Sequence, residues 1–217
     1  MLSKNTKILF QGDSITDGGR SRNDDLNHVM GHGYAYLVAA RLGVKYPGLN
    51  LKFFNRGING NRIVDLYARW KEDAINLAPD IISILVGVND VGAQFYNGTG
   101  ISAKQYEKTY RMLLDDTLQA LPNTSFVLCE PFVLPVGDIK DRWEEWVDEI
   151  SRRREVVSNL AKQYDAVLVS TQNVFDVCKD VDPVYWAWDG VHPMPAGHEL
   201  IAREWINTVE QENATDA

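Results

Sequence analysis

The fold of this chain is indicated by residues 81–86, IISILV, which are apolar on both faces of an extended strand. Runs of this kind are typical of strands that are covered on both sides in a parallel sheet. Working outward from this run, five segments are predicted strands: Lys7–Gln11, Leu51–Asn55, Ile81–Val86, Phe126–Glu130 and Ala166–Val169.

Segments with helical periodicity separate the predicted strands. Between residues 61 and 77, apolar side chains recur every three or four residues, as on the buried face of an amphipathic helix. The predicted helices are Tyr34–Tyr46, Asn61–Leu77, Ser102–Leu121, Trp143–Tyr164 and Ala196–Glu210. Alternating strands and helices indicate a parallel sheet with right-handed crossovers and helices on both faces. Because no linker or repeat interrupts the pattern, we expect a single domain over residues 1–217.

Composition argues against several classes of protein. Lys and Arg number 22 and Asp and Glu number 30, and the resulting net charge of −8 disfavours binding to nucleic acid or to an anionic membrane surface. The two cysteines, Cys129 and Cys178, form neither a disulfide framework nor a metal-type pair. The opening residues MLSKNTKILF lack the apolar stretch of an export signal, and no run is long enough to span a bilayer. We therefore expect a cytoplasmic protein.

Candidate chemistry lies where the predicted strands end. The first strand runs into Gly12-Asp13-Ser14, and a serine directly after a strand can be held in a fixed, partly exposed position. The third strand runs into Gly87-Val88-Asn89-Asp90, whose Asn89 amide would donate to an oxyanion if strands one and three are neighbours. The alternative is that Ser14 lies in an ordinary turn and that Asn89 and Asp90 only cap a helix.

A histidine near the other end of the chain supplies a candidate base. His192 follows Asp189 by three residues in a loop, so the carboxylate can accept from Nδ1–H and leave Nε2 for a serine. The alternative is an Asp-Gly turn followed by a surface histidine. The loop after the second strand, with Gly57 and Gly60, offers further backbone N–H groups. Because all these residues follow strands at one edge of one sheet, their joint occurrence favours acyl transfer.

Two long segments, Asp17–Gly33 and Pro131–Asp141, follow predicted strands and show no periodicity. Long loops at the carboxyl ends of strands in open α/β sheets frequently carry ligand contacts. We expect both segments to lie at the candidate site.

The order of the chemical motifs resembles the SGNH (GDSL-type) hydrolase family. The matching blocks are Gly12-Asp13-Ser14-Ile15, Gly60, Gly87-Val88-Asn89-Asp90 and Asp189-Gly190-Val191-His192-Pro193. The resemblance implies a flavodoxin-like three-layer α/β/α sandwich around a five-stranded parallel sheet. It also implies that Ser14 is the nucleophile, that His192 is the general base and then acid, and that Asp189 orients His192. The implied oxyanion hole consists of the Ser14 and Gly60 backbone N–H groups and the Asn89 side chain, and no metal or cofactor is implied.

Four stretches match one branch of that family more closely: GDSITD at residues 12–17, NRGI at 55–58, ARW at 68–70 and AWD at 187–189. Over most of its length the chain is similar to the acetylxylan esterase branch, which removes acetyl groups from xylo-oligosaccharides. The resemblance implies an acetyl-serine intermediate and a small-molecule or oligosaccharide ester as substrate. Asp13 and Trp188 are expected to contact the substrate, with Trp188 as a wall of its pocket. Other aromatic candidates for sugar contacts are Tyr96, Trp143, Trp146 and Trp186. Trp70 and Trp146 lie on predicted helix faces, where packing in the core is expected.

Other interpretations stay open at this point. An SGNH esterase, lipase or thioesterase would act on other short-chain acyl esters, and a non-catalytic module would bind a phosphate or FMN in the loop after the first strand. An inactive scaffold is disfavoured, because every group needed for the chemistry is present. His28 and His32 are spaced like metal ligands but lack a third one, and His198 is expected to be exposed or to cap a helix. The preferred sugar and the formation of a homo-oligomer are left open.

Overall fold

The computed structural model describes residues 2–23, 25–177 and 180–215, and a five-stranded parallel sheet is at its centre. The strands are β1 Lys7–Gly12, β2 Lys52–Asn55, β3 Ile81–Leu85, β4 Ser125–Cys129 and β5 Val167–Val169. Their order in the sheet is β2-β1-β3-β4-β5, and every neighbouring pair is parallel. The five predicted strands are thus confirmed, with ends that differ by at most one residue. Strands β1 and β3 are neighbours, which is the condition that brings Ser14 near Asn89.

Helices cover both faces of the sheet. They are α1 Ser14–Asp17, α2 Tyr34–Lys45, α3 Ile63–Asp73, α4 Val88–Tyr96, α5 Ala103–Ala120, α6 Gly137–Asp141, α7 Trp143–Gln163, α8 Thr171–Asp176 and α9 Pro195–Thr215. One apolar cluster joins one face of the sheet to α2, α8 and α9, and a second joins the other face to α3, α5 and part of α7. The predicted three-layer α/β/α architecture is therefore confirmed.

Helix α9 is anchored to the middle of the sheet. Trp205 is fully buried, and its indole N–H donates to the Ser83 hydroxyl over 2.9 Å. Ser83 is the one polar residue of the IISILV run, and this hydrogen bond satisfies the Trp205 indole, which would otherwise be a buried donor without a partner. The last helix of the chain is thereby fixed against the central strand.

Several helices differ from the expected ones. Four short helices, α1, α4, α6 and α8, were not predicted, and α6 lies inside the expected loop Pro131–Asp141. The predicted helix Asn61–Leu77 begins two residues later, at Ile63, and changes to a 3₁₀ turn over Ile75–Leu77. Over the described residues, no helix has both the length and the apolar character that a bilayer crossing demands.

Candidate active site

Ser14 stands at the junction of β1 and α1. A side chain at Gly12 would place its Cβ 2.2 Å from the Leu85 carbonyl oxygen, so only glycine lets β1 approach β3 this closely. The next residue, Asp13, caps α1 by accepting a hydrogen bond from the Ile15 N–H at 3.0 Å. Ser14 is consequently the first residue of a helix, with its backbone N–H at the open helix end.

The carboxylate of Asp13 is turned into the protein. Asp13 is buried, and burial raises its pKa to about 7, although the Ile15 hydrogen bond and the nearby His192 oppose the shift. Asp13 is not one of the described residues that line the two cavities beside Ser14 and His192. The expected contact between Asp13 and the substrate disagrees with this position, because its carboxylate is used as the helix cap.

His192 connects Ser14 to Asp189. The His192 Nε2 atom lies 2.8 Å from Ser14 Oγ, although the two residues are 178 positions apart in the sequence. The His192 Nδ1 atom lies 2.6 Å from Asp189 Oδ2, and the other Asp189 oxygen accepts from the backbone N–H groups of Val191 and His192. These are the contacts that the Asp189–His192 spacing predicted.

Electrostatics at this contact favour a charged pair. The hydrogen bond to Asp189 raises the pKa of His192, against the opposing effect of burial, and the charges of Asp189 and Asp13 act in the same direction. Burial raises the pKa of Asp189, but the hydrogen bonds from His192 and from the backbone outweigh it and hold this pKa below its usual value. Asp189 therefore stabilises the imidazolium that forms when His192 takes up a proton during a reaction.

The loop that carries His192 is fixed by a glycine and a short bridge. Gly190 has a φ of +86°, and a Cβ there would lie 2.4 Å from the Leu134 carbonyl oxygen. The Leu134 N–H donates to the Gly190 carbonyl over 2.8 Å, and Ala187 pairs with Pro193 across the loop. The Trp188 ring lies nearly parallel to the His192 ring, at 6.2 Å between centroids, and 60% of Trp188 is exposed.

The three candidate oxyanion donors meet at the same edge of the sheet. Gly60 occupies the third position of a turn that is closed by a 3.1 Å hydrogen bond from Asn61 N–H to the Ile58 carbonyl, and its φ is +78°. Asn89, in the first turn of α4, donates its side-chain amide to the Asn61 carbonyl over 3.2 Å. The N–H of Gly57 is already bonded to Asn55 Oδ1, which leaves Gly60 as the better candidate donor of the two glycines.

Two cavities flank the Ser14–His192 contact, and Trp188 and His192 line both of them. The larger, of about 760 Å³, contains Gly60, Asn89 and the 61% exposed Tyr96, and we call it the Tyr96 cavity. The smaller, of about 520 Å³, contains Ser14 and is lined mainly by small and apolar residues, His32 and His198.

Carboxylates dominate the charged wall of the Tyr96 cavity. Asp65, Asp138 and Asp189 line it together with Arg62, whose guanidinium is bound to Asp65 at 2.9 Å. Because that one cation is paired, the cavity presents an excess of negative charge to a ligand. The segment Pro131–Asp141, which contains Asp138, was expected at the site, but the charged wall itself was not predicted because it depends on the unpredicted helices α4 and α6.

The aromatic candidates separate into three groups. Tyr96 and Trp188 are exposed on the Tyr96 cavity, and Trp146 is buried at its base, 5.1 Å from the Phe95 ring centroid. Trp70 is buried in the other core cluster, as expected. Trp143 and Trp186, both described residues, line neither of the two cavities.

His198 is buried, and the expected exposure is wrong. Its Nδ1 accepts a hydrogen bond from the Tyr34 N–H at 3.2 Å, so it caps α2 rather than its own helix α9. Burial lowers its pKa to about 4, with smaller contributions from the nearby His32 and His192. His28 and His32 are exposed, and within residues 2–23, 25–177 and 180–215 no group of three or more acidic, His or Cys side chains is arranged to hold a metal ion.

A known protein family and a known esterase both match most of this chain. A family model described as GDSL-like Lipase/Acylhydrolase family matches residues 10–200. An acetylxylan esterase from Geobacillus stearothermophilus is 36% identical over 215 residues, which cover 96% of this chain and 95% of that protein.

Solved structures with the same fold include relatives at similar identity. A protein from Parabacteroides merdae named as a GDSL-like lipase superimposes with a TM-score of 0.92 at 38% identity, over 96% of this chain and 97% of that one. The structure of an acetylxylan esterase from Geobacillus stearothermophilus superimposes with a TM-score of 0.85 at 35% identity, over 96% and 95% of the two chains. Two further structures of that esterase are catalytic mutants in which a serine or a histidine is replaced by alanine.

Proposed function

The chain belongs to the GDSL-like lipase/acylhydrolase family, and we propose that it removes O-acetyl groups from carbohydrates, with xylo-oligosaccharides as substrates. It is a carboxylic ester hydrolase of the serine type. The observation that carries the proposal is the 2.8 Å contact between Ser14 Oγ and His192 Nε2, with Asp189 on the other imidazole nitrogen.

The proposed reaction uses only groups of this chain and water. His192 Nε2 takes the proton of Ser14 Oγ as that oxygen attacks the acetyl carbonyl carbon. The Ser14 N–H, the Gly60 N–H and the Asn89 amide stabilise the oxyanion that forms. Collapse breaks the bond to the sugar oxygen, which receives the proton from His192 and leaves acetyl-Ser14. A water molecule, deprotonated by His192, then attacks this ester and releases acetate and the free serine.

Aromatic rings and charge support a neutral sugar in the Tyr96 cavity. Tyr96 and Trp188 each expose more than half of their surface there, and flat rings of this kind pack against the apolar faces of sugars. The carboxylates in the wall disfavour anionic ligands, which include thioesters of phosphate-bearing acyl carriers. An uncharged acetylated oligosaccharide fits this wall better than the acyl-carrier substrates of a thioesterase.

We also propose a cytoplasmic location. Its support is the low cysteine content and the burial of Cys129 as a free thiol, while Cys178 lies outside the described residues. Recovery of the native protein outside the cell would contradict this location. Assembly into a homo-oligomer stays a prediction.

Acetate release from acetylated xylo-oligosaccharides tests the proposed function directly. Replacing Ser14 by Ala should lower kcat by at least about 10⁴-fold, because the nucleophile is lost while the fold is kept. The matched control is Ser151→Ala on the exposed side of α7, which should retain the wild-type rate. A Ser14→Ala protein that hydrolyses the acetyl ester at the wild-type rate would exclude Ser14 as the nucleophile. Preference for longer acyl esters over acetylated sugars would contradict the proposed substrate.

A further inference from the structure

Asp17, the last residue of α1, accepts a hydrogen bond from the turn that contains Gly60. We propose that Asp17 is a positioning residue that holds the Gly60 N–H in register with Ser14. This inference rests on the proposed roles of Ser14, Gly60 and Asn89 in ester hydrolysis.

The carboxylate of Asp17 bridges two segments of the site. Asp17 ends α1, and only 6% of its side chain is exposed. Its Oδ2 atom accepts from the backbone N–H of Asn59 at 3.0 Å, and its Oδ1 atom accepts from the backbone N–H of Arg20 at 3.1 Å. The Arg22 guanidinium also binds both oxygens from the half-exposed side. One carboxylate therefore connects the helix that begins with Ser14 to the turn that contains Gly60.

The connected turn contains Gly60 and contacts Asn89, which are two of the three candidate oxyanion donors. Asn59 directly precedes Gly60, and the carbonyl of Asn61, on the other side, accepts from the Asn89 amide. Next to this turn, Gly57 packs so closely on α1 that a Cβ would lie 2.4 Å from the Asp17 N atom. The 58–61 turn is thus held at Asn59 by Asp17 and at Asn61 by Asn89.

The Asp17 carboxylate is ionised in the pH range where His192 is neutral. Burial raises the pKa of Asp17, but the hydrogen bonds from Arg22 and from the Asn59 and Arg20 backbone outweigh burial and hold this pKa below its usual value. The bridge between α1 and the turn is therefore already complete when His192 loses its proton at higher pH.

Loss of the bridge should slow the chemical step more than it weakens binding. Oxyanion donors act on charge that develops in the transition state, so their displacement lowers kcat and leaves KM nearly unchanged. A shift of about 1 Å in a catalytic group can reduce the rate by about 10²-fold. We therefore expect Asp17→Ala to lower kcat by about 10- to 100-fold, with KM within about twofold of the wild type.

Two variants separate the Asn59 contact from the charge of Asp17. Asp17→Asn retains an oxygen acceptor for the Asn59 N–H, so its kcat should lie within about fivefold of the wild type. Arg22→Gln removes the ion pair at a half-exposed side chain and should also remain near the wild-type rate. If Asp17→Asn and Arg22→Gln both lose as much activity as Asp17→Ala, the charge is decisive and the proposed positioning role is wrong.

The donor side of the bridge offers a second variant, which keeps Asp17 in place. The turn from Ile58 to Asn61 has Gly60 at its third position with a positive φ, the pattern of a type II turn, and proline is favoured at the second position of such turns. Asn59→Pro therefore suits the turn and removes the N–H from which Asp17 accepts. It also removes the Asn59 side chain from the cavity that contains Ser14, so Asn59→Ala, which keeps the N–H, is its matched control. We expect Asn59→Pro to share the kcat loss of Asp17→Ala, so the inference can be tested even if Asp17→Ala does not fold.

The experiment measures kcat and KM for an acetylated xylo-oligosaccharide, per active site counted by covalent labelling of Ser14 with a fluorophosphonate. In a double-mutant cycle, Asn89→Ala should cost less in the Asp17→Ala background than in the wild type, because both changes act on the same donor set. An unchanged kcat per labelled site in Asp17→Ala and Asn59→Pro, or additive costs in the cycle, would overturn the inference. Activity that survives Ser14→Ala would instead contradict the proposed function, which keeps the two failures distinguishable.

Discussion

The two halves of the candidate site are built in different ways. The nucleophile half consists of residues 12–17, which are buried apart from the half-buried Ser14, and the 55–61 loop, in which Asn55 and Gly57 are buried and Asn59 and Gly60 are exposed. Residues distant in the sequence hold this half in place, such as Leu85 against Gly12. The histidine half is the loop of residues 186–193, where 42% of the His192 side chain is exposed. The bonds that orient His192 come mostly from within that loop, through Asp189.

This difference indicates that the two halves have different tasks in the reaction. The nucleophile and the oxyanion donors must match a transition state closely, which requires a site that cannot move. The histidine must exchange protons with the serine, the leaving group and water, which requires access to solvent. Changes in the nucleophile half should therefore affect stability and the chemical step together, whereas changes in the histidine half should affect protonation and substrate contact with little loss of stability.

Within this comparison of the two halves, the largest effect is expected in the histidine half. Asp189→Asn should lower kcat by about 10³- to 10⁴-fold, because the amide no longer fixes the imidazole tautomer or stabilises the imidazolium. The midpoint of thermal unfolding should change little, since Asp189 bonds only within its own loop apart from solvent contact. A large drop in this midpoint would contradict the division between the two halves.

The pH profile of the same pair of proteins gives a second readout. Only neutral His192 can accept the serine proton, so kcat/KM should fall as the pH drops through the pKa of His192. The Asp189 hydrogen bond raises this pKa, which predicts a midpoint above the usual value of 6.5 in the wild type. Residual activity of Asp189→Asn should show its acid limb at lower pH, and an unmoved limb would exclude His192 as the titrating base.

A pair of glycine substitutions tests the packing of the nucleophile half. Gly57→Ala forces a Cβ to within 2.4 Å of the Asp17 backbone and should lower the free energy of unfolding by about 1–3 kcal/mol. The matched control is Gly43→Ala on the exposed side of α2, where no atom lies within 4 Å of the new Cβ. This control should raise stability by about 0.5–1 kcal/mol. Denaturant unfolding measures both changes, and equal effects at the two sites would show that the 55–61 loop is not tightly packed.

The smallest expected effect concerns the cavity beside the histidine half. Asp138→Lys reverses one charge in the wall of the Tyr96 cavity and should raise kcat/KM for a glucuronate-bearing acetylated xylo-oligosaccharide by about two- to fivefold at low salt. The rate on a neutral oligosaccharide should stay constant, and the gain should disappear at about 1 M salt because of screening. Asp141→Lys, an exposed position on the same helix α6 outside the cavity lining, is the matched control. An equal gain in kcat/KM for Asp138→Lys and Asp141→Lys would show that the net charge of the protein, and not the charge of the cavity wall, causes the effect.

Much of the fold was predictable because each strand of a parallel sheet is buried on both faces. Runs such as IISILV at residues 81–86, in which Ser83 is the one polar residue, are therefore mostly apolar on both sides and stand out in a sequence. The contacts of His192 with Ser14 and with Asp189 were also predictable, since Ser14 follows the first strand and Asp189 precedes His192 by three residues in a loop. These inferences need only local composition and the rules of chain connection.

Features that depend on exact tertiary neighbours were not predictable. Helix α4 is short and contains Gly92, so its periodicity was too weak to detect, and the wall of the Tyr96 cavity was missed with it. Asp13 belongs to the same motif as Ser14, but the direction of its carboxylate is set by the buried N–H of Ile15, which has no partner within the helix at the start of α1. His198 is buried because α2 begins beside it, a contact between residues 164 positions apart that no local pattern encodes.

The long separation between Ser14 and His192 has a consequence for synthesis of the chain. A ribosome produces the nucleophile 178 residues before its base, and α9, which follows His192, is the element that attaches to the central strand through Trp205 and to α2 through His198. A serine hydroxyl without a base is a weak nucleophile. The nascent protein is therefore chemically silent until α9 has docked, and the first turnover of ester by a newly made molecule reports that docking.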